Sequence, residues 1–284
     1  MNAEARGADA QSADAHGAEA RGERSLGVEV RPFAVGPFRE NAYIVRAQGA
    51  QRAVLVDPGE EPARLGAAID SLGVRVEAIL ITHCHFDHIG AVAAMARRTG
   101  APVYCPQLER GVLEDIAKWM PPGFGEPESY SPEHTLAGGE HLELAGLDIR
   151  VRATPGHSPG HLTYAIASHA QAQAQAGAGA DGHPRAERPA RALLSGDVLF
   201  VGSVGRTDLP GGDRATLERS IEGLMREWAP ESAVHSGHGG ATTLERELQT
   251  NPFLEELRAA LAAGARSGSG ARESSGAGEA AGAS

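Results

Sequence analysis

Cysteine is almost missing from this chain. Cys84 and Cys105 are the two present in 284 residues, so no disulfide framework supports the fold. Lysine is scarcer still, with Lys118 alone, and any basic contact to a substrate must therefore come from arginine. Aromatic residues make up 4% and the formal net charge is -11. A nucleic-acid-binding surface needs basic clusters interleaved with aromatics, so that class of partner is excluded. No apolar run approaches the roughly 20 residues needed to span a bilayer. The opening MNAEARGADA carries no apolar leader region, which predicts a cytoplasmic protein with no membrane partner.

Three stretches are too poor in large apolar residues to build a core. Residues 1–25 and 265–284 read as disordered tails, and residues 168–192 contain the low-complexity run QAQAQAGAGADG; each buries too little to offset the entropy of ordering it. What remains is about 214 residues, the size of one α/β domain. The expected domain is 26–264, interrupted by the 168–192 insert. The acidity belongs to this remainder, at about minus ten, and not to the tails.

Within it, short β-branched runs alternate with helical patterns. Val28–Arg31, Ala42–Val45 and Ala53–Val56 read as a strand meander, and Leu65, Ile69 and Leu72 as a helix face closed by Gly73. Ala78–Thr82 reads as a buried strand leading to a helix from about Ile89 to Thr99. Val103–Cys105 is a further strand, followed by a helix carrying Leu108, Val112, Ile116 and Trp119 and then the PPGFGEP loop. Two strands flank Ala145-Gly146. Leu162–Ala167 and Ala192–Ser195 form a hairpin enlarged by the insert, because surface loops tolerate added length cheaply. Asp213 is a candidate N-cap for a helix bearing Leu217, Ile221, Leu224 and Trp228. Ala233–His235 is a last strand, and Thr242 with Glu245 forms a capping box for a final helix. This pattern predicts two mixed sheets packed face to face and covered by helices.

The chemistry concentrates in THCHFDHIG, residues 82–90, on the connection between a buried strand and a helix. In extended chain, residues two apart point the same way, so His83 and His85 can grip one metal ion while Asp87 and His88 turn toward a second. Cys84 then points the opposite way and reads as a packed thiol. Three later pieces offer further donors at strand ends: His157 in TPGHSPGH, Asp197 in SGDVLF and His238 in SGHGG.

Two other matches fail on physical grounds. GAGADG (177–182) has the GxGxxG pattern but no preceding strand, so it is no dinucleotide site. GHSPG (156–160) has the GxSxG pattern, but an elbow serine needs the next residue's N–H and Pro159 has none, so Ser158 is no nucleophile. Of the other histidines, His16, His169 and His183 fall in low-complexity sequence and His134 and His141 read as solvated. His161 and His235 suit hydrogen-bonding roles.

Taken in order, these motifs resemble the metallo-β-lactamase fold superfamily, and within it the short bacterial hydroxyacylglutathione hydrolase (glyoxalase II)-like enzymes. The likeness runs from about Val28 to Leu254 and includes DPG (57–59), GSVGRTDLPGGD (202–213) and NPFL (251–254). It implies a four-layer αββα sandwich with a two-metal site at one edge. By that resemblance His83, His85 and His157 hold the first ion, Asp87, His88 and His238 the second, and Asp197 bridges them. Asp57 supports the metal loop from behind. Imidazole and carboxylate ligands suit two divalent ions, zinc first and iron or manganese as alternatives. A water shared by two such ions has a pKa near neutrality and can attack a carbonyl, with Asp87 orienting it.

The resemblance also implies a small-molecule thioester substrate, a glutathione conjugate among the candidates, with Arg206 contacting its carboxylate in bidentate fashion. The helical extension of the longer glyoxalase II enzymes has no counterpart here, and Cys84 stands where they usually carry histidine. The alternative is a mononuclear iron persulfide dioxygenase using His83, His157 and Asp197. A β-lactamase usually lacks the bridging aspartate, and a non-catalytic metal-binding protein would be expected to have lost a ligand.

Overall fold

A computed structural model describes residues 27–120, 123, 127–178 and 191–261. The expected tails 1–25 and 265–284, most of the PPGFGEP loop and residues 179–190 of the insert lie outside the described residues.

The chain opens with the expected meander. Strands β1 (Val28–Val35), β2 (Glu40–Ala47) and β3 (Arg52–Val56) pair antiparallel in sequence order. Helix α1 (Pro62–Leu72) starts on a proline at its first turn and ends at Gly73, whose φ of 60° lets its N–H reach back to the Asp70 and Ile69 carbonyls. It crosses to β4 (Arg75–Leu80), parallel to β3. A short helix α2 (Phe86–Ile89) and then α3 (Val92–Thr99) lead to β5 (Val103–Pro106); α4 (Arg110–Glu114) follows, and β6 (His134–Leu136) completes a six-stranded mixed sheet.

The second half builds a matching sheet. Strands β7 (His141–Leu144), β8 (Leu147–Ala153) and β9 (Leu162–Ser168) precede helix α5 (His169–Ala178) and β10 (Ala192–Gly196). A small hairpin, β11 (Leu199–Phe200) and β12 (Ser203–Val204), then leads to α6 (Arg214–Glu227), β13 (Ala233–Ser236), β14 (Thr242–Thr243) and α7 (Leu244–Thr250). The sheet order is β14-β13-β10-β9-β8-β7.

Successive residues of the central strands serve different layers, since side chains alternate across a strand. Val45, Val54 and Leu80 face Ile149, Tyr164, Ile166 and Leu194 between the sheets. Their neighbours Ile44, Leu55 and Ile79 face Leu65, Ile69, Val92 and Met95 of α1 and α3. On the far side Ala165, Leu193 and Val234 pack on Leu217, Ile221 and Leu224 of α6 and Leu244 of α7. These three apolar layers give the expected αββα sandwich, and they explain why the strands read as continuous apolar runs.

Several local expectations are corrected. The segment from Leu108 to Trp119 is not one helix: it divides into the 3₁₀ turn Gln107–Glu109, α4 and the 3₁₀ turn Ile116–Trp119. Leu108 is 76% and Trp119 53% exposed, so apolar spacing there did not mark a buried face. The last helix is capped by Thr243, which accepts from the Arg246 N–H, while Thr242 donates instead to Glu247. The first ten residues after Ser168 are helical, because alanine and glutamine are good helix formers even without an apolar face. At the other end of the insert the buried Arg191 pairs with Asp148 and lies over the Trp228 ring. His141 is not simply solvated, since its Nε2 lies 2.7 Å from Asp148 Oδ2.

Candidate metal centre

Strand direction gathers the functional loops. β8 and β10 both run antiparallel to β9, and β13 runs parallel to β10, so β8, β10 and β13 point the same way. His157, Asp197 and His238 follow their C-terminal ends. The THCHFDH loop follows β4 of the other sheet and is stitched to this edge: Leu162 N–H donates to the Thr82 carbonyl at 2.8 Å and Tyr164 Oη–H to the Ile81 carbonyl at 2.7 Å. Asn41 N–H reaches the Gly237 carbonyl at 2.7 Å.

Three imidazoles converge first. His85 Nδ1 lies 3.0 Å from His83 Nε2 and 2.9 Å from His157 Nε2. The remaining nitrogens of the other two rings are held from outside. Thr82 Oγ1 donates to Asp57 Oδ2 at 2.5 Å, so it accepts from His83 Nδ1–H at 3.0 Å; His157 Nδ1–H donates to the Arg206 carbonyl at 2.9 Å. Both rings therefore turn a lone pair inward. Burial and the neighbouring His88 hold His83 well below the ordinary histidine value, and burial with His157 brings His85 to about 4.

A second group stands beside it. His238 Nδ1–H donates to the Phe38 carbonyl at 3.2 Å, which leaves its Nε2 3.4 Å from Asp87 Oδ2. His88 Nδ1 lies 3.0 Å from Asp57 Oδ2, and its Nε2 is buried with no hydrogen-bond partner. Asp197 reaches both groups. Its Oδ1 is 3.5 Å from His88 Nε2, and its Oδ2 lies 3.5 Å from His157 Nε2 and 3.6 Å from His238 Nε2. Burial works against the protonated form of His88, but the carboxylates of Asp197, Asp57 and Glu40 outweigh it and raise its pKa well above the usual value. Burial would likewise raise Asp197, and the surrounding imidazoles reverse that and lower it.

All seven donors expected from sequence are thus together, with Asp57 directly behind them. Asp57 Oδ1 also accepts from the Thr82 N–H at 2.7 Å. The DPG turn carrying it needs its glycine: a Cβ on Gly59 would stand 1.7 Å from the Asp87 carbonyl oxygen and 2.6 Å from Glu40 Oε2. Arg206 lies outside the cluster, its guanidinium bidentate on Asp208 at 2.7 and 2.8 Å.

The bystanders are also placed. His161 Nε2 accepts from the Asp197 N–H at 3.1 Å and its Nδ1–H donates to Thr154 Oγ1. Cys84 Sγ faces the core 3.6 Å from Cys105 Sγ. His235 makes no hydrogen bond through Nε2 and packs edge-on against Tyr43.

Two buried carboxyl groups escaped sequence reasoning. Glu40 sits 3.7 Å from His88 Nδ1 with both oxygens unpartnered, and burial pushes its pKa well up. Glu109 accepts from the Cys84 N–H, the Ser158 hydroxyl and the Gly160 N–H. No motif marks either residue.

The donor set fits divalent metal. Inward lone pairs at 2.9 to 3.0 Å, an orphaned buried Nε2 on His88 and an orphaned Oδ1 on Asp197 are the chemistry a cation satisfies.

The comparisons agree with this architecture. The family profile described as Metallo-beta-lactamase superfamily matches residues 35–169. A probable metallo-hydrolase of Bacillus subtilis, YqgX, is 34% identical over 227 residues, 79% of this chain and 96% of that one. The hydroxyacylglutathione hydrolase GloC of Haemophilus influenzae is 29% identical, over 80% of this chain and 97% of that one. Among solved structures, the B3 metallo-β-lactamase BLEG-1 superposes with a TM-score of 0.67 at 35% identity, covering 80% of this chain and 100% of that one. TTHA1623 in a di-iron-bound form gives 0.63 at 39% identity, covering 79% and 100%. Two helix-flanked sheets, the histidine-rich edge between them and near-full-length relatives all lead to one statement: this chain belongs to the metallo-β-lactamase superfamily.

Proposed function

We propose that the protein is a binuclear metal-dependent thioester hydrolase of the hydroxyacylglutathione hydrolase type. The observation that carries it is Asp197, whose Oδ1 faces His88 and whose Oδ2 lies between His157 of one group and His238 of the other. In this reading His83, His85 and His157 would hold one divalent ion, Asp87, His88 and His238 the other, and Asp197 would serve both. The bound pair would lower the pKa of a water and polarise the scissile carbonyl.

The chain's own residues set the geometry of that reaction. Asp87 Oδ2 lies 3.4 Å from His238 Nε2, and from there its carboxylate can orient the attacking water and hold its proton. His157 and His238 are fixed by the Arg206 and Phe38 carbonyls, so their inward nitrogens need no rearrangement on binding. Arg206 supports a substrate bearing a carboxylate, since exchanging Asp208 for that group preserves the bidentate geometry. The name of the Haemophilus relative supports the thioester.

A β-lactam is the second candidate substrate, favoured by the 35% identity to BLEG-1. A persulfide dioxygenase needs one iron only and would leave His85, Asp87, His88 and His238 without a task. One preparation with its metal quantified should be assayed on S-D-lactoylglutathione, on a chromogenic cephalosporin and for oxygen uptake with glutathione persulfide. Thioester hydrolysis dominant at two metal equivalents is expected. Dominant β-lactam turnover, or oxygen uptake at one iron per chain, refutes the proposal.

A further inference from the structure

We infer that Glu109 is a positioning residue that sets the spacing of His83, His85 and His157 from a third loop; the inference rests on those three being metal ligands. Glu109 ends the 3₁₀ turn after β5 and is 5% exposed. Its Oε2 accepts from the Cys84 N–H at 2.6 Å, and that peptide lies between His83 and His85. Its Oε1 accepts from Ser158 Oγ–H at 2.5 Å and Gly160 N–H at 2.8 Å, in the turn that starts at His157. One carboxylate thus joins the β4–α2 loop to the β8–β9 loop, the two segments whose imidazoles must meet.

The turn it grips also ends in His161, which receives the Asp197 N–H. The residue types follow from this contact. A carboxylate accepts at both oxygens, whereas an amide presents an oxygen on one side only. A Cβ on Gly160 would stand 2.8 Å from Glu109 Cγ and 3.0 Å from Oε1, so TPGHSPGH needs its second glycine to admit the carboxylate. Ser158 is a donor to this clamp.

The inference separates the two metal groups. Asp87, His88 and His238 receive nothing from Glu109 and are braced by Asp57 and the Phe38 carbonyl instead. Glu109→Gln should therefore weaken one ion and spare the other. The substitution is combined with His238→Ala, which leaves His83, His85 and His157, and separately with His85→Ala, which leaves Asp87, His88 and His238. Each is titrated with cobalt(II) against its own single-variant background, with binding read by visible absorption and chelator competition. The expected result is about 10- to 100-fold weaker binding in the first pair and a change of less than about threefold in the second.

Unchanged affinity in the first pair, or equal loss in both, overturns the inference while leaving the metal reading intact. Failure of the wild-type chain and both backgrounds to bind cobalt(II) overturns the metal reading and the inference together. Amide exchange in the metal-free full-length Glu109→Gln protein gives a second measurement independent of the background variants. Exchange at Cys84 or Gly160 should quicken more than about tenfold, on the scale of losing a buried hydrogen bond. Wild-type protection at both amides overturns the inference.

Discussion

Replacing Asp57 by asparagine tests the link between the buried support and the site with little steric change. Asp57 has a φ of 46°, a conformation asparagine tolerates better than most residues, so backbone strain is nearly constant. The carboxylate accepts from the Thr82 N–H through Oδ1 and from Thr82 Oγ1–H and His88 Nδ1 through Oδ2. An amide cannot serve both sides. With its NH2 toward Thr82 N–H, two donors oppose each other at 2.7 Å. With its NH2 toward His88, Nδ1 must accept, so the neutral imidazole keeps its proton on Nε2 and the nitrogen that faces Asp197 has no lone pair to offer an ion.

Either orientation leaves a buried donor unmatched, which costs about 1–3 kcal/mol. In a domain of this size the metal-free protein should melt about 2–4 °C lower for each kcal/mol. The ion at Asp87, His88 and His238 should bind about 10- to 100-fold more weakly, or roughly 1.4 to 2.8 kcal/mol. Cobalt(II) titration of metal-free protein, with differential scanning calorimetry on the same samples, measures both effects. An Asp57→Asn protein that takes up two equivalents with wild-type affinity would show that this carboxylate braces nothing.

Four further outcomes follow from the geometry. Asp197→Ala should retain at most one tightly bound ion and lose more than about 100-fold in turnover, and metal analysis showing two retained ions refutes the bridging role. Metal uptake should release protons unequally: His88 and His238 lie above the usual histidine value and must deprotonate, so binding there tightens as pH rises through neutrality. His83 and His85 are already depressed, His85 to about 4, so these two ligands have no proton to release near neutrality. Calorimetry in buffers of different ionisation enthalpy reads the protons, and identical release at both sites contradicts the assignment. Arg206→Ala should raise KM for glutathione thioesters about 5- to 20-fold and leave simple thioesters unchanged; equal effects on both remove the proposed contact. Arg191→Ala should cost about 1–3 kcal/mol, because it removes the buried partner of Asp148 and leaves the carboxylate only His141 and the half-exposed Arg150, and unchanged stability in urea denaturation would refute that role.

What the sequence disclosed and what it hid divide along a physical line. Spacing within one segment is legible: HxHxDH on an extended loop brings His83 beside His85 because side chains two apart share a face. The β-branched runs disclosed the strands, since both faces are buried. Contacts assembled from separate loops leave no such trace. Glu109 touches Cys84, Ser158 and Gly160, and Glu40 lies against His88 from the start of β2, so neither stands in a motif. Leu108 and Trp119 misled for the converse reason, as apolar residues at helical spacing that the fold leaves exposed.

The division of the proposed ligands between the two sheets bears on how the molecule comes apart. His83, His85, Asp87 and His88 come from the first sheet's loops, and His157, Asp197 and His238 from the second's. Neither half alone supplies either proposed set of three ligands, so an ion would be fully held only once the sheets have docked. Interactions that form after the folding transition state slow unfolding and leave folding speed nearly unchanged. Bound metal would then act as a latch on the native state, and a chelator would shorten the protein's lifetime against proteolysis without altering how fast it refolds.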